Sequence, residues 1–302
     1  MASPTVSVIV PTRNRLDFLV AAVVSVCAQT RPPDEIIVVE DGSGAAHALQ
    51  SLRAELSLPL RVLPGPAIGP GAARNAGLAV ASGDLIAFLD DDDLWQPTKL
   101  AWQVDRFALH PDLGLLGTQL TRWSTGPLPT VPVHAPKRLR FIRPTALLRA
   151  NRLTTSTVVA RRECFTRARF CESLPLAQDW DMWLRLSREW RVAVLPAPLT
   201  IYRLHEEQRS GRARELREWE AAVVRRALAE ERPGSWRHGV ARRRLSWAQC
   251  RLGRARLRTE GMRAAAPVLW EALSLNPLNW VAWSTLLRGA LLRATPAEVE
   301  RS

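Results

Sequence analysis

Leu85-Ile86-Ala87-Phe88-Leu89 runs directly into Asp90-Asp91-Asp92-Asp93-Leu94-Trp95. An unbroken apolar run closed by a polar turn reads as a strand buried on both faces. Three similar runs precede it: Val6-Ser7-Val8-Ile9-Val10, Glu35-Ile36-Ile37-Val38-Val39 and Leu60-Arg61-Val62-Leu63. Between them lie stretches at helical spacing, Leu16 to Gln29, Ala45 to Leu56 and Ala72 to Ala81. Such alternation predicts βαβ units and a parallel sheet. Ligands bind these sheets beyond the carboxyl ends of the strands. The polar residues after the first, second and fourth strands all fall on that edge, so an active site is expected there.

Four segments carry the chemistry. Adjacent carboxylates at Asp90 to Asp93 repel one another unless a cation neutralises them. A hard divalent ion, Mg²⁺ or Mn²⁺, suits oxygen ligands and substrate phosphates. The alternative is an acidic turn that caps the helix running from near Pro97 to His110. In Val38-Val39-Glu40-Asp41-Gly42-Ser43, Asp41 can accept hydrogen bonds from a base or ribose. Asp and Ser also cap helices well, and Ser43 can cap while Asp41 faces a ligand. Gly69-Pro70-Gly71-Ala72-Ala73-Arg74-Asn75-Ala76-Gly77 offers free N–H groups at a helix entry, with Arg74 as a cation suited to phosphate. In Gln178-Asp179-Trp180-Asp181-Met182-Trp183, Asp179 and Asp181 are two apart and cannot share a helical face. At the mouth of a helix after Pro175, Asp179 is placed either to act as a base or to cap.

From 97 to 205 the pattern loosens. Pro127, Pro129, Pro132 and Pro136 read as a surface loop; a helix is expected at 144–150, a strand at 156–160, a helix at 178–189, and short strands at 191–195 and 199–203. Beyond 205 only helical patterns remain, at 212–231, 238–258, 262–275 and 278–293, punctuated by prolines 233, 267 and 277. Ala265, Leu269 and Ala272 before Asn276-Pro277 look like a tetratricopeptide-type helix pair, without a second copy.

Composition bounds the rest. A chain of 302 residues, 47% hydrophobic, buries its own core and is not disordered. No apolar run reaches the length of a membrane span, and the N-terminus lacks a secretory pattern. Cys27, Cys164, Cys171 and Cys250 have no CxxC spacing and read as reduced, mostly buried thiols of a cytoplasmic protein. The net charge of +13 is uneven. Residues 1–100 hold 7 Lys+Arg against 11 Asp+Glu, a net of −4, whereas 206–302 hold 19 Arg against 11 Glu, a net of +8. A basic tail can face a membrane surface, a lipid phosphate or a nucleic acid. It can also reflect a bias toward arginine, since Lys99 and Lys137 are the only lysines.

Taken in chain order, the four segments, together with Val6-Ser7-Val8-Ile9-Val10-Pro11-Thr12-Arg13-Asn14-Arg15, Gln29-Thr30, Gly83-Asp84 and Tyr202-Arg203-Leu204-His205, resemble family 2 glycosyltransferases over residues 5–205. The resemblance implies an α/β GT-A fold: a nucleotide-binding mixed sheet flanked by helices over 1–205, with an Arg-rich α-helical appendage over 206–302. It implies an inverting transfer from a nucleotide-sugar donor to a hydroxyl of a glycan or lipid-linked acceptor, in cell-surface polysaccharide or glycolipid synthesis, with Mg²⁺ or Mn²⁺. Carried over by position, Pro11, Thr12, Arg13 and Asp41 hold the nucleobase. Arg74 lies near the base or diphosphate, and Asp90 or Asp91 contacts ribose. Asp92 of the DXD segment binds the metal, His205 helps hold metal or phosphates, and Asp179 is the base.

The departures are Glu40 for the usual Asp, Gln178 for the usual Glu, and Arg13 where many relatives have Tyr. A guanidinium stacks too. Trp95, Trp180 and Trp183 are candidate sugar-stacking platforms; most other tryptophans read as core or helix packing. Two other readings remain: a sugar-nucleotide binder impaired by Gln178, and an anionic-surface binder acting through the tail, with peripheral contact at the inner membrane face and no specific nucleic acid.

Overall fold

The computed structural model describes residues 3–41, 59–130, 134–136, 138–205 and 213–294. The helix expected at 45–56, and Ser43 as a cap, lie outside the described residues. By internal contacts the chain divides into two units, Met1–Glu207 and Gln208–Ser302.

In the first unit β1 (Val6–Thr12), α1 (Leu16–Cys27), β2 (Glu35–Glu40), β3 (Leu60–Pro64), α2 (Pro70–Val80) and β4 (Leu85–Phe88) follow the expected alternation. Strand β1 pairs in parallel with β2 and β4, and β2 with β3. Every residue of β1 and β4 is buried, which is why these strands read as continuous apolar runs. Val8, Val10, Ile36, Val38, Leu85 and Ala87 pack with Leu19, Val23 and Val26 of α1 in one core.

The remaining elements are β5 (Asp93–Trp95), α3 (Lys99–Leu109), β6 (Leu113–Trp123), β7 (Arg140–Ile142), α4 (Pro144–Arg149), β8 (Val159–Arg161), α5 (Gln178–Leu186) and β9 (Arg191–Arg203). Among the described residues they complete a nine-stranded sheet in the order β3-β2-β1-β4-β8-β6-β9-β5, with β7 beside β9. Antiparallel pairing of β8 with β4 and β6 makes the sheet mixed.

The structure corrects several expectations. The two short strands at 191–195 and 199–203 are one strand, β9; its pairing with β6 slips near Pro196 and Pro198, where the prolines cannot donate to the ladder. Residues 155–157 form a 3₁₀ turn, so β8 starts later than expected and is shorter. Strand β6 was hidden by Gly114 and Gly117, which weaken a strand pattern. Both are required by close packing: an added Cβ would come within 2.4 Å of Trp190 Cβ and of Leu153 Cδ2, respectively. Lys99 is fully buried; its Nζ donates to Gln103 Oε1 at 2.7 Å and lies 4.1 Å from the Trp95 ring centroid. Burial drives its pKa well down.

The second unit is helical: α6 (Ala213–Ala229), α7 (Trp236–Thr259), α8 (Met262–Leu275) and α9 (Trp280–Ala294). Successive helices pack on one another. Ala265, Leu269 and Ala272 of α8 are buried with Cys250 of α7 and Ala282 of α9. Asn279 Nδ2 donates to Ser246 Oγ at 2.9 Å, pinning the α8–α9 turn to α7. Pro267 does not punctuate a helix; it lies inside α8, in the second turn, where it removes a single backbone hydrogen bond. All four cysteines are free thiols, two buried (Cys164, Cys250) and two partly exposed (Cys27, Cys171).

Candidate active site

The chain leaves β1 toward β2 on one side and returns to β4 on the other. The sheet therefore has its topological switch point between β1 and β4, where the carboxyl ends of parallel strands open a crevice. Thr12 ends β1, and Asp90 to Asp93 follow β4. The two ends are joined by the Thr12 hydroxyl, which donates to Asp91 Oδ2 at 2.7 Å.

Each carboxylate of the acidic turn has its own partner. Asp90 is paired with Arg74 of α2. Asp91 is held by Thr12, with Arg15 Nη1 at 3.6 Å. Asp92 Oδ2 accepts from Arg15 Nη1 at 2.7 Å and lies 3.2 Å from His205 Nε2. Asp93 Oδ2 accepts from the Ser156 hydroxyl at 2.5 Å. Arg203 clamps the turn's backbone: Nε donates to the Asp92 carbonyl at 2.6 Å, and Nη2 to the carbonyls of Asp91 and Phe18, both at 2.9 Å.

Partners do not remove the cost of burial. Burial, reinforced by the charges of Asp92 and Asp90, pushes Asp91 up to about 6, against the opposing pull of Thr12 and Arg15. Burial likewise drives Asp93 well above the ordinary carboxylate range. Asp90, Asp92 and Asp93 each offer an oxygen within 4.8 Å of the others, a group able to hold a metal ion. Asp93 Oδ1 is buried without a hydrogen-bond partner. A hard cation would satisfy that oxygen and relieve the repulsion, so the donor set fits Mg²⁺ or Mn²⁺. His205 touches Asp92 and packs on Phe18 with ring centroids 4.8 Å apart and the rings tilted by 38°, but it stands outside the carboxylate group.

The nucleobase candidates divide. Pro11 and Thr12 are buried in β1, whereas Arg13 is exposed beyond it. Asp41 is buried; its carboxylate accepts the Ala67 N–H and, at 3.2 Å, the Gly69 N–H. It thereby fixes the loop that enters α2. Gly69 there has φ of 119°, a conformation glycine adopts readily. Arg74 is nearly inaccessible, lies 5.6 Å from the Phe170 ring centroid, and leaves Nε and Nη1 buried without partners. Asn75 ties α2 to the facing segment: its Nδ2 donates to the Phe170 carbonyl at 3.0 Å, and the Phe170 N–H donates back to Oδ1 at 2.8 Å.

Asp179 is the second residue of α5, whose N-cap Ala177 is left-handed at φ 58°. Strain of that kind is held where the surroundings fix it. Asp179 Oδ2 accepts from Asn151 Nδ2 at 2.9 Å, and Oδ1 from the Trp180 N–H at 2.8 Å. Burial raises its pKa; those hydrogen bonds and the charge of Arg74 lower it, and Asp90 raises it again. Asp179 is thus electrostatically coupled to the acidic turn. Asp181 instead pairs with Arg185 at 2.9 Å. Gln178 is buried, and its Oε1 would lie 2.9 Å from a Cβ added at Gly71, so it packs against α2.

Three tryptophans do not serve as stacking platforms. Trp95, Trp180 and Trp183 are buried, and their indole N–H groups donate to the carbonyls of Ser156, Leu147 and Leu153. Sequence reasoning missed Arg15, Asn151, Ser156 and Arg203, and gave Asp93 no role of its own. Arg15 and Arg203 stand inside motifs already quoted, beside residues that were assigned. Asn151 and Ser156 carry no local signal and are recruited by tertiary packing.

A family model, Glycosyl transferase family 2, matches residues 7–165. The teichuronic acid biosynthesis glycosyltransferase TuaG of Bacillus subtilis, described as putative, is 34% identical over 46% of this chain and 56% of its own. The chain spans about a third of the length of the first curated relatives it matches. Among solved structures, TarS 1-349 of S. aureus in complex with UDP-GlcNAc has a TM-score of 0.68 at 17% identity, covering 94% of this chain and 89% of that one. The mannosyltransferase PcManGT of Pyrobaculum calidifontis, in complex with GDP-Man and Mn²⁺, has a TM-score of 0.63 at 19% identity, covering 97% and 81%. These two likenesses establish the GT-A type fold. With a family model covering more than half its length and the motif residues gathered at one sheet edge, the chain belongs to glycosyltransferase family 2.

Proposed function

We propose that this protein is an inverting, metal-dependent transferase that moves a sugar from a nucleotide-sugar donor to an acceptor hydroxyl on a glycan or lipid-linked chain, in cell-surface polysaccharide synthesis at the cytoplasmic face. The observation that carries the reading is the acidic turn at the switch point, with Asp179 coupled to it. The nucleobase lies against Pro11, Thr12 and Arg13, with Asp41 reading its edge. Arg74, with two buried N–H groups lacking acceptors, takes an oxygen of the base or diphosphate. Asp90 or Asp91 contacts the ribose. Asp92, with oxygens of Asp90 and Asp93, holds the divalent ion, and His205 supports Asp92. The chemistry such an ion supplies is neutralisation of the charge developing on the leaving diphosphate.

Inversion is a single displacement. The acceptor oxygen bonds to the anomeric carbon as the bond to phosphate breaks, and Asp179 takes the hydroxyl proton. A pKa raised by burial makes Asp179 a stronger base than an ordinary aspartate. The test is Asp179→Asn. Turnover falls by about 10² to 10⁴, and donor affinity is unchanged, because the base meets only the acceptor. The wild-type acid limb of turnover lies above the ordinary aspartate range. A variant with near-normal turnover assigns Asp179 to capping, since Asn also caps.

A further inference from the structure

The strongest unassigned surface is on the helical unit. Leu278 is 87% exposed, Trp280 73%, Leu287 63%, Trp270 55% and Trp283 43%. Trp280, Trp283 and Leu287 stand at i, i+3 and i+7 of α9 and so form one stripe. Trp270 of α8 joins it, edge-on to Trp283 with ring centroids 5.7 Å apart. The Trp283 indole N–H donates to the Pro277 carbonyl at 2.9 Å, which folds the Leu278 turn against the stripe. Soluble proteins rarely leave so many large apolar side chains together in water.

The charges around the stripe select its partner. Residues 262–294 hold three arginines, Arg263, Arg288 and Arg293, and one acid, Glu271. Glu271 is already engaged: it accepts from Arg225 at 2.7 Å and from Gln249 Nε2 at 2.5 Å. Arg263 is exposed on the Trp270 side of α8, seven residues before it, and Arg288 is exposed beside Leu287. Elsewhere in the unit part of the positive charge is spent internally, in Arg251–Glu220 and Arg256–Glu218. Indole rings with leucines, flanked by arginines and, among the described residues 262–294, without a free carboxylate, are the composition of a surface that enters the headgroup layer of an anionic bilayer. Among the described residues no helix is long and apolar enough to cross a membrane, so the contact is peripheral.

We infer that the α8–α9 edge, formed by Trp270, Leu278, Trp280, Trp283 and Leu287, inserts into the interface of an anionic lipid bilayer, with Arg263 and Arg288 on the headgroups. This rests on the anionic-surface reading of the basic tail and is independent of the transferase chemistry. It differs from charge attraction alone, because apolar insertion survives salt.

The experiment is sedimentation of the full-length protein with phosphatidylcholine vesicles, with and without phosphatidylglycerol, at low and high salt. The wild type binds the anionic vesicles and keeps part of that binding in high salt. Leu278→Ser with Trp280→Ser lowers the partition coefficient at least about tenfold, since each loses an apolar side chain from the interface. Both residues are exposed, so melting temperature and nucleotide binding stay at wild-type values. If the double variant melts early, Trp270→Ser alone shows the loss. Binding abolished by salt and untouched by the variants overturns insertion and leaves only charge. Absence of binding by the wild type overturns both. A wild-type dimer that Leu278→Ser with Trp280→Ser makes monomeric assigns the stripe to a second copy and overturns the inference.

Discussion

Asp91→Asn should stabilise this protein at neutral pH and impair donor binding at the same time. Burial pushes the Asp91 carboxyl up to about 6, against an ordinary aspartate at about 3.9. Between those values the folded state binds more protons than the unfolded one. Stability therefore falls as pH rises through that window, and the cost stays in full above it. Integrated, the displacement is worth about 3 kcal/mol. An amide keeps an oxygen for the Thr12 hydroxyl and carries no charge. It gives up the Arg15 pairing at 3.6 Å, so the net gain is about 1–3 kcal/mol at neutral pH and nothing below about pH 4. The assay is urea unfolding across pH in EDTA. Asp93 and Asp179 are also raised by burial, but both are common to the two proteins, so the difference curve isolates Asp91. A variant no more stable than wild type at neutral pH, or a difference that does not shrink in acid, would refute the reasoning.

Arg15→Gln removes the cation seated on Asp92, so Mn²⁺ affinity by calorimetry rises about fivefold; a fall would make Arg15 part of the ion's support. Asp41→Ala leaves two loop N–H groups without their acceptor and costs about 1–3 kcal/mol. It also weakens binding of free nucleoside as much as of nucleoside diphosphate, and loss confined to the diphosphate would contradict a base contact. Gly117→Ala, whose Cβ would lie 2.4 Å from Leu153 Cδ2, destabilises by about 1–3 kcal/mol. Gly239→Ala, with nothing within 4 Å, stabilises α7 by about 0.5–1 kcal/mol; the reverse order in melting experiments would invalidate the packing argument.

The first half of the sheet was legible because β1, β2 and β4 are buried on both faces and punctuated by polar turns, so pattern and environment agree. Strand β6 was not, because Gly114 and Gly117 serve partners, Trp190 and Leu153, that lie far along the chain. The prolines that divided 191–203 in sequence are absorbed by a register shift against β6, which no local pattern announces. The site residues were legible as residue types at a strand edge, but their pairings were not. Nothing near Asp92 signals that Arg15 and His205 meet it, 77 and 113 positions away. The tryptophans misled in both directions. Those near the acidic turn are core, whereas Trp270, Trp280 and Trp283, on the amphipathic helices α8 and α9, are exposed.

Four consecutive aspartates survive at one turn because their charge is divided among different elements. Asp90 goes to α2 through Arg74, Asp91 to β1 through Thr12, Asp92 to the β1–α1 turn through Arg15, and Asp93 to the 3₁₀ turn through Ser156. Two of these pairings are incomplete: Arg74 keeps two buried nitrogens without acceptors, and Asp93 keeps one bare oxygen. A buried pair with a missing partner costs stability, and a ligand that supplies the partner recovers it. The missing partners are complementary, an anion for Arg74 and a cation for Asp93. A nucleoside diphosphate with its divalent ion brings both charges at once. Either one alone leaves the opposite group unmatched, so the two should bind more tightly together than apart.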